Sequence, residues 1–214
     1  TSYYKSGNGG SQQTCMPKQL IFNLKPFSFK HTGLFPEQAS NWDFSFNLIK
    51  KRINSGIPVK LLNLFAYTGA ATLAAAAAGA KVTHVDASKG MVNWAKENAV
   101  SSGLDNAGIR WLVDDCLKFV EREIRRGNKY EAVIMAPPSY GRGPKGEVWK
   151  LEASVYSLVK ASLKLMSDIP LFFLINSYTT GLQPGVLTYM LSTEVASKKA
   201  GATVEAEEIG LPVT

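Results

Sequence analysis

The chain has 214 residues, 45% hydrophobic and 19% charged, which is enough to bury one substantial core. Its formal charge of +7 and pI near 9.3 favour an anionic partner. The sequence has no apolar run of bilayer length and no basic-then-apolar leader, so it reads as cytoplasmic with no membrane partner. Cys15 and Cys116, about a hundred positions apart in unrelated contexts, form neither a disulfide framework nor a metal-ligand spacing, so no structural metal is expected.

Residues 1–17, rich in Gly, Ser, Gln and Asn, read as a frayed start. Across 18–30, Leu20, Phe22 and Leu24 alternate on one face, and Phe27 and Phe29 follow Lys25-Pro26, which predicts a small hairpin or two bent strands. HTGLFPEQ (31–38) leads to a helix over 42–54, opened by Ser40 or Asn41 and closed at Gly56. Residues 1–56 are thus expected to form a β appendage and a lead-in helix.

From position 57 a different rhythm begins. Strands predicted at 59–65, 82–86, 109–113, 130–136, 170–176 and 203–209 alternate with helices at 71–78, 91–101, 117–126, 148–165 and 186–200. That alternation predicts an α/β domain over 57–214: a Rossmann-like, mostly parallel sheet with helices on both faces. The sequence stops at Leu211-Pro212-Val213-Thr214, where a further strand is expected, so it reads as a fragment.

The ends of these strands carry the chemistry. LNLFAYTGAATLAAAAAGA (62–80) is an apolar strand, a tight turn at Gly69 and a helix of almost nothing but alanine, a combination that lets backbone approach a ligand closely. Alone, it equally fits a generic strand-to-helix turn. Asp86, about seventeen residues after Gly69 and followed by Ala87 and Ser88, sits where an acid accepts from both hydroxyls of a ribose. Asp115 could accept from an adenine amino group while the Cys116 amide donates to the ring; each acid singly could instead cap a helix. In APPSYGRGPKGEVW (136–149), Pro137 and Pro138 stiffen the turn, and the carbonyls of Ala136 and Pro137 edge the same pocket. His84 is read as a core residue, His31 as either orienting its segment or purely structural, and Trp42, Trp94 and Trp111 as packing.

Together these segments resemble class I S-adenosylmethionine-dependent methyltransferases, in particular those similar to bacterial large-subunit ribosomal RNA methyltransferases acting on cytosine C5 or guanine N7. The resemblance runs from about 25 to 211 and implies S-adenosyl-L-methionine as cofactor and RNA, ribosomal above all, as partner. It implies that Phe65, Tyr67, Thr68 and Gly69 surround the methionine part and that Asp86 holds the ribose. It further implies that Asp115 and Cys116 read the adenine, while Phe35 and Gln38 reach in from the N-terminal segment.

The chain departs from that family at two places. Ala136 stands where members usually carry Asp or Asn, which removes an acceptor near the transferred methyl. Cytosine-modifying relatives carry a nucleophilic cysteine after the fifth strand, but this chain reads Asn176-Ser177-Tyr178-Thr179 there. A nitrogen acceptor such as guanine N7, which needs positioning more than a base, is therefore the expectation. Tyr140 is expected to stack on the target base and the Pro137 carbonyl to steer it. Arg142 and Lys145 would meet flanking phosphates, with Ser139 and Trp149 beside them, Trp149 either stacking on a base or covering the core. Alternatives are methylation of a protein or small molecule, and a binding module silenced by Ala136. A nicotinamide-dependent dehydrogenase would want G-x-G-x-x-G, and Tyr67-Thr68-Gly69-Ala70-Ala71-Thr72 lacks its first and third glycines.

Overall fold

The computed structural model describes residues 2–3, 19–25, 32–196 and 202–211. The predicted strand at Phe27 and Phe29, His31 and Cys15 lie outside them. A two-residue strand β1 (Ser2–Tyr3) pairs antiparallel with β2 (Ile21–Phe22), so the partner of the Leu20–Phe22 segment precedes it in the chain. A 3₁₀ turn (Pro36–Gln38) runs directly into α1 (Ala39–Asn54), which therefore begins before the predicted position 42. There follow β3 (Lys60–Leu64), α2 (Ala70–Ala77), β4 (Lys81–Asp86), α3 (Lys89–Ser101), β5 (Ile109–Val113) and α4 (Cys116–Arg125). The chain continues through β6 (Ala132–Met135), β7 (Tyr140–Arg142), β8 (Val148–Lys150), α5 (Leu151–Leu163), β9 (Phe172–Ile175) and α6 (Pro184–Ala196).

Five strands form one parallel sheet in the order β5-β4-β3-β6-β9. Period-two alternation sorts its side chains between two helical layers. Leu62, Leu64, Val133 and Met135 pack with Phe119 and Val120 of α4 and Leu158 and Val159 of α5. On the opposite face, Leu61, Val82, Ala132 and Ile134 pack with Phe46 and Ile49 of α1 and Ala75 and Ala76 of α2. The alanines of α2 present little bulk there, so this helix lies close against the sheet. A third cluster joins Leu20 and Phe22 to Trp42, Leu73 and Ala99, while the Asn23 amide and side chain both donate to Asn98 Oδ1 of α3. The N-terminal segment is thereby seated on α3. Successive strands run outward from β3 to β5 and then return to β6, and this reversal opens a crevice above the β3/β6 junction.

Two predicted elements differ. Residues 148–150 form a strand rather than the start of a helix, because Trp149 is buried while Val148 and Lys150 are exposed, an alternation that suits the β7–β8 hairpin. Residues 202–211 form no strand: Glu205, Glu207 and Glu208 are all exposed, leaving only Val204 and Ile209 partly covered. Among the described residues, then, β9 is one edge of the sheet and β5 the other.

A buried polar chain crosses the sheet beneath the crevice. Asn63 Nδ2 donates to Thr72 Oγ1 at 2.9 Å, and the Thr72 hydroxyl lies 2.9 Å from His84 Nδ1. Burial, reinforced by the charge of Lys96, pushes the His84 imidazole down to about 3 from 6.5. The unfolded chain therefore binds a proton between those values that the folded chain refuses, and stability falls as pH drops through that window. At about pH 5 this one group should cost about 2 kcal/mol relative to neutral pH. Denaturant melts across this range should show a pH slope in wild type that is reduced in His84→Asn by that amount.

Candidate active site

The strand ends that line the crevice are held in unusual conformations. Directly after β3, Phe65 (φ 52) and Tyr67 (φ 49) occupy the left-handed region, which costs a non-glycine residue about 1–2 kcal/mol. The strain is compensated by hydrogen bonds at each step. The Phe65 amide donates to Cys116 Sγ (3.3 Å), the Ala66 amide to Val85 O (3.1 Å) and the Tyr67 amide to Asp86 Oδ2 (2.8 Å). Gly69 follows at φ 88 as N-cap of α2; a β-carbon there would stand 2.9 Å from Ala95 Cβ. The absence of that carbon leaves the turn flush with α3.

The N-terminal segment closes one side. Thr68 Oγ1 donates to Gly33 O at 2.6 Å, and Gly33 (φ 91) lies so near the Trp94 ring that a β-carbon would stand 2.2 Å from it. From that anchor Phe35 projects over the turn, stacked on Tyr178 (5.2 Å between centroids) and tilted against Tyr67 (5.5 Å). Gln38 Nε2 donates to the Tyr178 hydroxyl at 2.7 Å, tying this segment to the loop after β9.

The result is a cleft of about 540 Å³ over the carboxyl ends of all five parallel strands, a size that suits a small-molecule ligand. Asp86 is its first polar anchor: Oδ2 accepts from Tyr67 and Oδ1 from the Ser88 amide (2.8 Å), yet a carboxylate offers about four acceptor positions and two remain. Burial raises the Asp86 carboxyl, while the Ser88 and Tyr67 amides pull it back down. Asp115 is the second; its Oδ1 caps α4 through the Lys118 amide at 2.9 Å, which leaves Oδ2 for a ligand. It is thus a helix cap, one of the two roles the sequence left open to it. Burial lifts the Cys116 thiol well above the ordinary range, so it stays protonated. Across the cleft, Trp149 Nε1 donates to Pro138 O (2.7 Å) and its ring packs against Phe65, while Ser139 Oγ and Thr179 Oγ1 are 2.7 Å apart at the mouth.

A family model for S-adenosylmethionine-dependent methyltransferases matches residues 24–152. The chain belongs to that family. It is 37% identical over 149 residues to the ribosomal RNA large subunit methyltransferase K/L of Shewanella frigidimarina, covering 68% of this chain and 20% of that protein. It is 25% identical to the ribosomal RNA large subunit methyltransferase K of Neisseria meningitidis serogroup B, over 92% of this chain and 53% of that one. The chain therefore spans between a fifth and about half the length of these curated relatives. Among solved structures it superposes on an S-adenosylmethionine-dependent methyltransferase from Agrobacterium tumefaciens with a TM-score of 0.80 and 35% identity, over 91% of this chain and 58% of the other.

The residues present fit the family's cofactor. The left-handed turn at Gly69 and two carboxylates with free acceptor positions, Asp86 and Asp115, stand at successive strand ends around one cleft. Phe35, Gln38, Phe65, Tyr67, Thr68, Gly69, Asp86, Ala87, Ser88, Asp115, Cys116 and Ala136 all line the cleft, as do Pro137, Pro138, Ser139, Arg142 and Trp149. Trp149 is also core, only 7% exposed, so it covers the sheet rather than presenting a free face. Tyr140, 53% exposed on the hairpin, and Lys145, in the segment between β7 and β8, fall outside the lining. Trp42, Asn63, Asn176, Tyr178 and Thr179 line it too, unforeseen in the sequence. The signal for the last three was a switch from FFLI to Asn-Ser-Tyr-Thr at the fifth strand end. No group of three His, Cys, Asp or Glu side chains among the described residues could hold a metal, and no described helix is long and apolar enough to cross a membrane.

Gly69→Ala should lower stability by about 2 kcal/mol or more, through a left-handed alanine and its contact with Ala95. Adding Ala95→Gly should recover the contact part and leave the backbone part, as a double-mutant cycle of thermal melts would show.

Proposed function

We propose that this chain transfers the methyl group of S-adenosylmethionine to a ring nitrogen of a base in ribosomal or other structured RNA. The observation that carries the reading is the ordered set at the cleft's floor: the Gly69 turn, then Asp86, then Asp115, on neighbouring strand ends. When bound, the cofactor supplies a methyl carried on a positively charged sulfur. Asp86 would hold the ribose hydroxyls and Asp115 the adenine amino group. The aromatic cover of Phe35, Tyr67 and Tyr178 would exclude water from the reacting end.

Four features support RNA and a nitrogen acceptor. The chain carries +7, and Arg142 stands in the cleft wall. The curated relatives are named for ribosomal RNA. A carbon acceptor would need a thiolate to add to the ring, and Cys116 is buried, protonated and engaged by the Phe65 amide. Ala136 offers no side-chain acceptor for an exocyclic amine, whereas a ring nitrogen such as guanine N7 attacks with its own lone pair and needs mainly alignment. In this reading Tyr140 and Lys145, outside the cleft, touch the RNA that flanks the target, and the reaction belongs to the cytoplasm, where ribosomes are.

Transfer of a tritiated methyl group to total RNA, followed by nucleoside mass spectrometry, tests the reading; a methylated base nitrogen is expected. Label appearing only in protein, or only after Ala136→Asp, would overturn it in favour of a protein methyltransferase or a silenced relative. Asp86→Asn should weaken cofactor binding at least tenfold by calorimetry, because its amide would set a donor against the Tyr67 or Ser88 amide. Tyr140→Ala should leave cofactor affinity unchanged and weaken RNA binding by about fivefold or more, the worth of one stacked base.

A further inference from the structure

Two walls of the cleft come from the β7–β8 hairpin and from the first turn of α4. Gly141, Arg142 and Gly143 line it from the hairpin, Asp115 and Cys116 from the helix. The base of the hairpin is fixed, with the Leu151 amide donating to Ser139 O at 3.0 Å and Trp149 Nε1 to Pro138 O at 2.7 Å. Beyond that base Tyr140 and Val148 are about half exposed, so apolar packing does little to hold the outer part.

The outer part is held by charge. Glu147 Oε2 accepts from the Lys145 amide at 2.9 Å and Glu147 O from the Gly143 amide at 2.8 Å, which folds residues 143–147 back on themselves. A β-carbon on Gly143 would stand 2.3 Å from Oε2, so a glycine is what lets the carboxylate lie across this loop. Oε1 reaches out of the hairpin and accepts from Lys118 Nζ of α4 at 2.7 Å. The Lys118 hydrogen bond, with the Glu147 and Lys145 amides, pulls the Glu147 carboxyl down to about 2, so the pair stays charged at neutral pH. Lys118 is engaged at both ends, because its own amide donates to Asp115 Oδ1 at 2.9 Å. One residue of α4 thus fixes an acid on one wall and the tip of the hairpin that forms the other.

We propose that Lys118 and Glu147 are positioning residues for the cofactor, their ion pair holding the hairpin against α4 and slowing release of the adenosine end from between them. This rests on the reading above that Asp115 holds the adenine. Neither side chain lines the cleft, so the pair acts through Arg142 and Gly143 on one side and Asp115 on the other. An exposed ion pair adds little to the stability of a whole fold, yet an interaction of that strength, made only while the hairpin is closed, changes a release rate by about three- to fivefold. It is also screened by salt.

The test follows release of S-adenosylhomocysteine by stopped-flow tryptophan fluorescence, with affinity by calorimetry and stability by thermal melts. Wild type, Lys118→Met, Glu147→Gln and the double variant are compared in about 0.01 M and about 1 M salt, where charges are screened beyond about 30 Å and 3 Å. At low salt each single variant should release the ligand about three- to fivefold faster, and the double variant no faster than either. High salt should bring wild type to that same rate and leave the double variant unchanged, while melting temperatures hold. Asp115→Asn, which keeps the helix cap but turns a donor toward the adenine, should weaken affinity about tenfold or more. If it does and the ion-pair variants release at the wild-type rate, the pair has no positioning role, although the adenine placement stands. If Asp115→Asn binds like wild type, the placement fails and the proposal with it. Effects that multiply in the double variant, or that track a loss of melting temperature, make the two residues independent or merely structural and overturn the proposal.

Discussion

The Tyr67 amide donating to Asp86 Oδ2 is the contact on which the cleft depends. It fastens the turn after β3 to the end of β4 and, with the Phe65 amide on Cys116 Sγ and the Ala66 amide on Val85 O, offsets the left-handed backbone of Phe65 and Tyr67. The same carboxylate accepts from Ser88, so it fixes two loops and still presents free acceptor positions to the cleft. A single buried acid thus shapes the site and lines it. Its surroundings raise its affinity for a proton, which a ligand's hydroxyl donors would counter by favouring the charged form.

Around that contact the cleft is assembled from parts far apart in sequence. Gly33 receives the Thr68 hydroxyl, Asn98 of α3 donates to Thr68 O, and Cys116 of α4 receives the Phe65 amide. The N-terminal segment, α3 and α4 therefore each contribute one fixed point to the turn. The walls are less uniform: the β7–β8 hairpin is held by Glu147, whose carboxylate accepts from Lys118 of α4 and from the Lys145 amide. These exposed contacts orient the hairpin without adding much stability.

The departures from the family pattern gain a common explanation in this geometry. Ala136 and Asn176 follow the paired strands β6 and β9, so both lie on the same wall of the cleft. In the sequence they are forty residues apart and read as two unrelated facts.

By itself the sequence determined the sheet, its helices, the glycine turn and the two acids, because strand and helix periods, and residues that only one backbone shape tolerates, are local properties of the chain. It also placed cleft residues from Phe35 to Trp149, since strand ends of a parallel sheet fall on one edge. It misread 148–150 and 203–209, where apolar alternation is compatible with more than one partner and tertiary pairing decides. Only the tertiary structure could show that Tyr178 closes the cleft with Phe35 and Gln38, that Tyr140 faces outward, and that Asn176 lines the cleft. Each of these depends on what lies across space from a side chain, and no run of neighbouring residues encodes that.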